Sequence, residues 1–182
     1  MKTLQLFIIA NLFTFSANYA QTFTLKSSDV GGQATLSEVF NGFGCTGKNV
    51  SPQLSWENAP EGTKSYAITM YDADAPTGSG WWHWLIFNIP SNTKELKANA
   101  GNTTNKIAPE GAIQSITDFG SYGYGGPCPP KGHGYHQYII TLYALKTDNL
   151  GLDKNANPAL VGFNLGANAL AKASIVFYYK RD

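Results

Sequence analysis

The sequence predicts a mainly β fold, and three observations point to it. Only 14% of the 182 residues are charged, against 43% hydrophobic and 13% aromatic, with 19 Gly and 9 Pro. A chain so rich in turn formers and aromatics suits sheets better than a helical bundle. Three apolar runs, at 66–71 (Y-A-I-T-M-Y), 84–89 (W-L-I-F-N-I) and 137–145 (Q-Y-I-I-T-L-Y-A-L), have the length and the β-branched and aromatic content of core strands. Only one segment carries a convincing helix signal. At this length the chain forms one domain with a full core.

Taken in order, residues 1–20 read as a cleaved signal peptide. Lys2 gives a short positive start, and 4–15 is an apolar run too short for a spanning helix. Ala20 is the expected cleavage residue, although Asn18 is larger than the usual residue two positions earlier. Residues 21–182 form the single domain, with no transmembrane span in the mature protein. Removing Lys2 leaves 12 basic against 12 acidic residues, so no basic field exists for nucleic acid or anionic lipid. The expected location is periplasmic or secreted.

The first strand is expected in 21–26, where Q-T-F-T-L-K alternates. Residues 30–44 read as irregular, ending in N-G-F-G before Cys45. In 49–56, Pro52 stands near a strand start, with Leu54 and Trp56 on one side. The central strands at 66–71 and 84–89 flank A-P-T-G-S-G at 75–80, built from turn residues. Two carboxylates, Asp72 and Asp74, leave the first as His83 enters the second. If both strands share a sheet, these groups gather at one end of it.

Residues 91–108 are polar and aperiodic and read as a surface loop. Asn49-Val-Ser and Asn102-Thr-Thr match the glycan acceptor pattern. G-G-P-C-P-P-K-G at 125–132 is a stiff loop leading into the third strand. Asn157-Pro158 supplies an N-cap followed by Pro at the first helical position, with Leu160, Phe163, Ala167, Leu170 and Ala171 on the expected apolar face. A last strand is expected at 174–179.

The two cysteines, Cys45 and Cys128, have one possible partnership in an oxidising compartment, and a disulfide is expected rather than two buried thiols. A metal site is not expected: there is no Cys-x-x-Cys and there are only three His.

Two segments carry the chemistry: D-A-D-A-P at 72–76 with G-S-G-W-W-H-W at 78–84, and P-P-K-G-H-G-Y-H-Q-Y at 129–138. Together they resemble the phosphatidylethanolamine-binding protein family, in its bacterial branch often labelled Raf-kinase-inhibitor-like. Ala73 replaces a Pro of the first family motif, and Gln137 stands where Arg is usual in the second. The resemblance runs from about residue 21 to 179. It implies an antiparallel β-sandwich with one helix near the C-terminus and a small anion pocket at one end. It further implies that Asp72, His83, His136 and Tyr138 line the pocket, with Trp81, Gly126 and Pro130 as wall. Asp74 looks more like a structural carboxylate, and a Cys45–Cys128 bridge would pin the pocket loop.

The chemistry is consistent with an anion. His83 and His136 are expected to act as two donors, Tyr138 as a hydroxyl, and the Gly-rich loop as a source of backbone N–H groups. Asp72 would accept a proton from a His or meet the ammonium of a zwitterionic headgroup. Lys131 and His133 are expected to face solvent or serve structure, and Trp84 to pack in the core. Gln137 should point to the face opposite His136, so the missing Arg touches a supporting salt bridge rather than the pocket. No G-x-S-x-G elbow supplies a nucleophile. The expected function is therefore an exported binding protein for a small anion or phosphorylated headgroup, with no catalysis and no cofactor. An alternative is a regulator of a protein partner, such as a kinase or protease, acting through the pocket rim. A hydrolase is the third reading.

Overall fold

The computed structural model describes residues 21–182; the proposed signal peptide lies outside the described residues. Ten strands and one helix follow in order: β1 (Thr24–Lys26), β2 (Asn41–Gly42), β3 (Cys45–Thr46), β4 (Leu54–Glu57), β5 (Ser65–Asp72), β6 (Trp81–Pro90), β7 (Glu95–Leu96), β8 (Ile113–Gln114), β9 (His136–Leu145), α1 (Pro158–Asn168) and β10 (Ala169–Tyr179). The main sheet has the order β10-β9-β5-β6-β8, a smaller one β1-β4-β7, and β2-β3 is a separate hairpin. All strand pairs within these sheets are antiparallel.

The main sheet is covered on both faces, which explains why its central strands read as near-continuous apolar runs. Tyr66, Ile68, Met70, Trp84, Ile86, Tyr138 and Ile140 pack against Leu25, Leu54, Trp56 and Leu96 of the small sheet. The opposite face, with Ala67, Leu85 and Phe87, packs against Val161 and Leu165 of α1. Trp84 is fully buried, as its position in the run predicts.

The helix begins where expected: the Asn157 side chain accepts from the N–H of Leu160, and Pro158 opens the first turn. Its buried face is different from the predicted one. Val161 and Leu165 point inward, while Leu160 and Phe163 are exposed. Leu170 and Ala171 belong to β10, because the chain turns extended at Ala169 and pairs along β9. A helical wheel drawn past Asn168 was bound to select the wrong stripe.

The segment 91–108 is also less loop-like than its polarity suggests. It holds β7, paired with β4, and buries Leu96 and Ala100 in the core. A two-residue strand is too short to show a period. The region read as irregular before Cys45 contains β2, half of a hairpin whose partner strand begins with that cysteine.

Cys45 and Cys128 are bonded, with Cα atoms 6.0 Å apart across 83 positions of sequence. The bridge joins the β2–β3 hairpin to the Pro-rich loop before β9. Arg181 reinforces the same junction, donating to the carbonyls of Phe43 and Gly44 on one side and Pro129 on the other. A cross-link closing so long a loop restricts the unfolded chain strongly. Replacing both cysteines by Ser should lower stability by about 4 kcal/mol, read as a fall in the urea midpoint, with a steeper slope because the unlinked chain unfolds to a more exposed state. An unchanged midpoint would show that the bridge adds nothing to stability.

Candidate functional site

The end of β5, the start of β6 and the start of β9 meet at one edge of the main sheet. Asp72 pairs with Trp81 on one side and Tyr138 on the other. Alternation then puts Asp72, His136 and Tyr138 on one face of the sheet, and all three are buried. His83 arrives there by a different route. Met70 pairs with Trp84 and Tyr71 with Trp82, so His83 has no partner on β5. It is the extra residue of a β-bulge, and the bulge turns its ring to the same side as Trp84. The ring meets Tyr138 edge-on at 5.2 Å and Phe119 at 5.2 Å.

Between these groups lies a cavity of about 180 Å³ lined by Asp72, His83, His136, Tyr138, Trp81, Pro130, Phe43, Ala75, Pro76, Thr77, Phe119, Cys128 and Pro129. Gly126 is not among the lining residues. It is buried behind the wall, where its N–H donates to Oδ1 of Asn49, and a Cβ there would sit 1.9 Å from the carbonyl oxygen of Glu38. Gly80 closes the β5–β6 turn at φ 68°, and a side chain there would strike the Tyr71 hydroxyl. Asn49 also donates to the carbonyl of Tyr124, so this acceptor-pattern asparagine is fully engaged in holding the pocket loop.

The polar groups of the site are mostly bonded to one another. Nδ1 of His136 donates to Oδ2 of Asp72 at 2.8 Å. Oδ1 of Asp72 accepts from the N–H of Asp74 at 2.9 Å. Asp74 in turn accepts from the N–H of Gln137 at 2.7 Å, tying the end of β5 to the start of β9. The Gln137 side chain is exposed, on the side of β9 away from His136 and Tyr138.

His133 is the residue that sequence reasoning missed. Its Nδ1 lies 2.8 Å from Nε2 of His136. Both ring nitrogens of His136 are therefore occupied by the protein, and the residue is not the free donor expected from the sequence. The three-residue spacing between His133 and His136 was the available signal, but the turn that folds one ring onto the other cannot be read from it. Lys131 is exposed and lies outside the cavity lining.

Two groups remain open. Nδ1 of His83 donates to the carbonyl of Gly125 at 2.7 Å, leaving Nε2 with no protein partner among the described residues. The Tyr138 hydroxyl is buried close to the Asp72 carboxylate, but no well-formed hydrogen bond joins it to any of the described residues. Burial, and secondarily the Asp72 charge, push its ionisation well up, so it stays a neutral donor. Burial also dominates at His83, pulling the imidazole down from 6.5 to about 4 against the opposing pull of the Gly125 carbonyl and Asp72. The unfolded chain thus takes up a proton below pH 6.5 that the native protein refuses until about pH 4. The associated stability, about 3 kcal/mol, is fully present above pH 6.5 and lost as pH falls to about 4. Urea unfolding of wild type and His83→Asn between pH 7.5 and 4.5 should show the steeper acid loss in wild type. Parallel curves would refute this assignment.

Comparison with known proteins supplies a lineage for this geometry. The family model described as phosphatidylethanolamine-binding protein matches residues 26–180. The UPF0098 protein YbcL of Escherichia coli (strain K12) is 48% identical over 182 residues, covering 99% of each chain. YbhB of the same organism is 49% identical over 137 residues, 75% of this chain and 85% of that protein. The crystal structure of E. coli YbcL, described as a new member of the mammalian PEBP family, superposes with a TM-score of 0.86 at 49% identity, covering 88% of this chain and 99% of that one. The chain belongs to the phosphatidylethanolamine-binding protein family.

Proposed function

We propose that this is an exported, non-catalytic binding protein whose cavity takes a small oxyanion or a phosphorylated headgroup. The observation that carries the reading is the unsatisfied pair at the cavity wall. The Tyr138 hydroxyl is buried without a well-formed hydrogen bond, and Nε2 of His83 makes none to the described residues, in a site whose other polar groups are already bonded. A buried polar group left bare costs roughly 1–3 kcal/mol, and a ligand oxygen would recover it. The family name points the same way, toward a phosphate ester that also carries an ammonium group. Trp81, Phe43 and Phe119 offer aromatic faces near Asp72 for such a cation.

The cavity offers no free hydroxyl or thiol of the Ser, Thr or Cys type for nucleophilic catalysis. Among the described residues lining the cavity, the Thr77 hydroxyl is bonded to the Gly80 carbonyl and Cys128 is in the disulfide. Export is supported by that disulfide, which persists in oxidising compartments, and by the composition of residues 1–20. No helix of the described residues is long and apolar enough to cross a membrane.

An NMR titration of residues 21–182 with phosphate and phosphoethanolamine tests the reading. Saturable shifts of the His83 ring are expected at millimolar ligand, with phosphoethanolamine also moving the Trp81 and Phe119 signals. Silence of the His83 ring with both ligands would sink the anion pocket and turn the search to protein partners of its rim.

A further inference from the structure

The cavity is an unusual place for an anion, because its wall holds no cation. Among the described residues that line it there is no Lys or Arg, and its one acidic side chain is Asp72. His83 does not supply the missing charge. Its Nδ1 faces a carbonyl oxygen at 2.7 Å and must carry a hydrogen, so the neutral ring presents a bare lone pair at Nε2. His136 is saturated by Asp72 and His133. A fully ionised oxyanion would thus meet an acceptor and a carboxylate, with only the Tyr138 hydroxyl to receive it.

We infer that the pocket is specific for oxyanions that retain an acidic hydrogen, such as the monoanion of phosphate or of a phosphate monoester, whose O–H donates to Nε2 of His83 while another ligand oxygen accepts from Tyr138. The inference rests on the pocket reading above and specifies its ligand class. The groups facing His83 are Asp72 from β5, His136 and Tyr138 from β9, Trp81 from its own strand, and the Gly125 and Gly126 carbonyls of the loop. Asp72 and the two carbonyls favour a charged ring, but burial outweighs them and holds it neutral down to about pH 4. Above that pH the hydrogen shared in the complex arrives with the ligand. An oxyanion with no hydrogen to give binds only to the protonated ring, which becomes tenfold rarer with each pH unit.

Methyl phosphate and methyl sulfate test this, since both are monoanions of nearly one shape below the second phosphate pKa of about 6. Calorimetry at pH 5.5 should show methyl phosphate binding at least about tenfold more tightly. At pH 7.5, its binding in two buffers of different ionisation enthalpy should reveal uptake of close to one proton. The ¹⁵N signal of His83 Nε2 should move toward its hydrogen-bonded position. Equal affinities for the two monoanions, or an unmoved Nε2 signal on methyl phosphate binding, would overturn the inference and leave the anion pocket standing. Failure of both to bind at millimolar concentration would overturn the pocket and the inference together.

Discussion

The hydrogen bond from Nδ1 of His136 to the Asp72 carboxylate, 2.8 Å long and nearly inaccessible to water, is the contact on which the site depends. It joins the last residue of one central strand to the first residue of its neighbour. Each group alone would be a buried polar atom in an apolar setting, so removing either leaves its partner exposed to the full desolvation cost. Around it the protein builds a closed set of bonds: Asp74 to Gln137, His133 to His136, Asn49 to the pocket loop. The disulfide and Arg181 anchor the outer wall to the same edge.

That self-satisfaction has a chemical consequence. Most of the polar residues that look like ligand groups in the sequence are partners for each other. What remains open is small: one imidazole nitrogen and one phenol in a pocket whose other polar side chains, Asp72, Thr77 and His136, are already bonded. Under the proposed reading, recognition in such a site would turn on hydrogen placement and shape more than on charge attraction. The neutral net composition of the domain agrees with a ligand that is not steered from a distance.

Much of the fold was legible in advance. The runs at 66–71 and 84–89 are core strands buried almost continuously because the sheet is covered on both faces there, while 137–145 buries alternate residues more deeply. The start of α1 was readable from Asn157-Pro158, since capping is a local interaction. Its end was not, because residues 169–173 become a strand only by pairing with β9, and the predicted apolar stripe failed with it. Leu96 was hidden in a polar stretch for a similar reason: a two-residue strand exists through its neighbour.

Asp72, His83, His136 and Tyr138 were identifiable from their two motifs, and the structure brings them to one cavity. Their individual roles were not. The bulge that re-aims His83 depends on how β6 registers against β5, and the occupation of His136 depends on a turn that folds His133 back upon it. Composition, strand content and the presence of two polar motifs follow from the sequence alone, because burial and turn preference act within a few residues. Which nitrogen is free, which carboxylate is spoken for and which glycine lies behind the wall were decided by the tertiary structure. Hydrogen bonds are set by ångström distances between groups that lie, as Asp72 and His136 do, 64 positions apart in the chain.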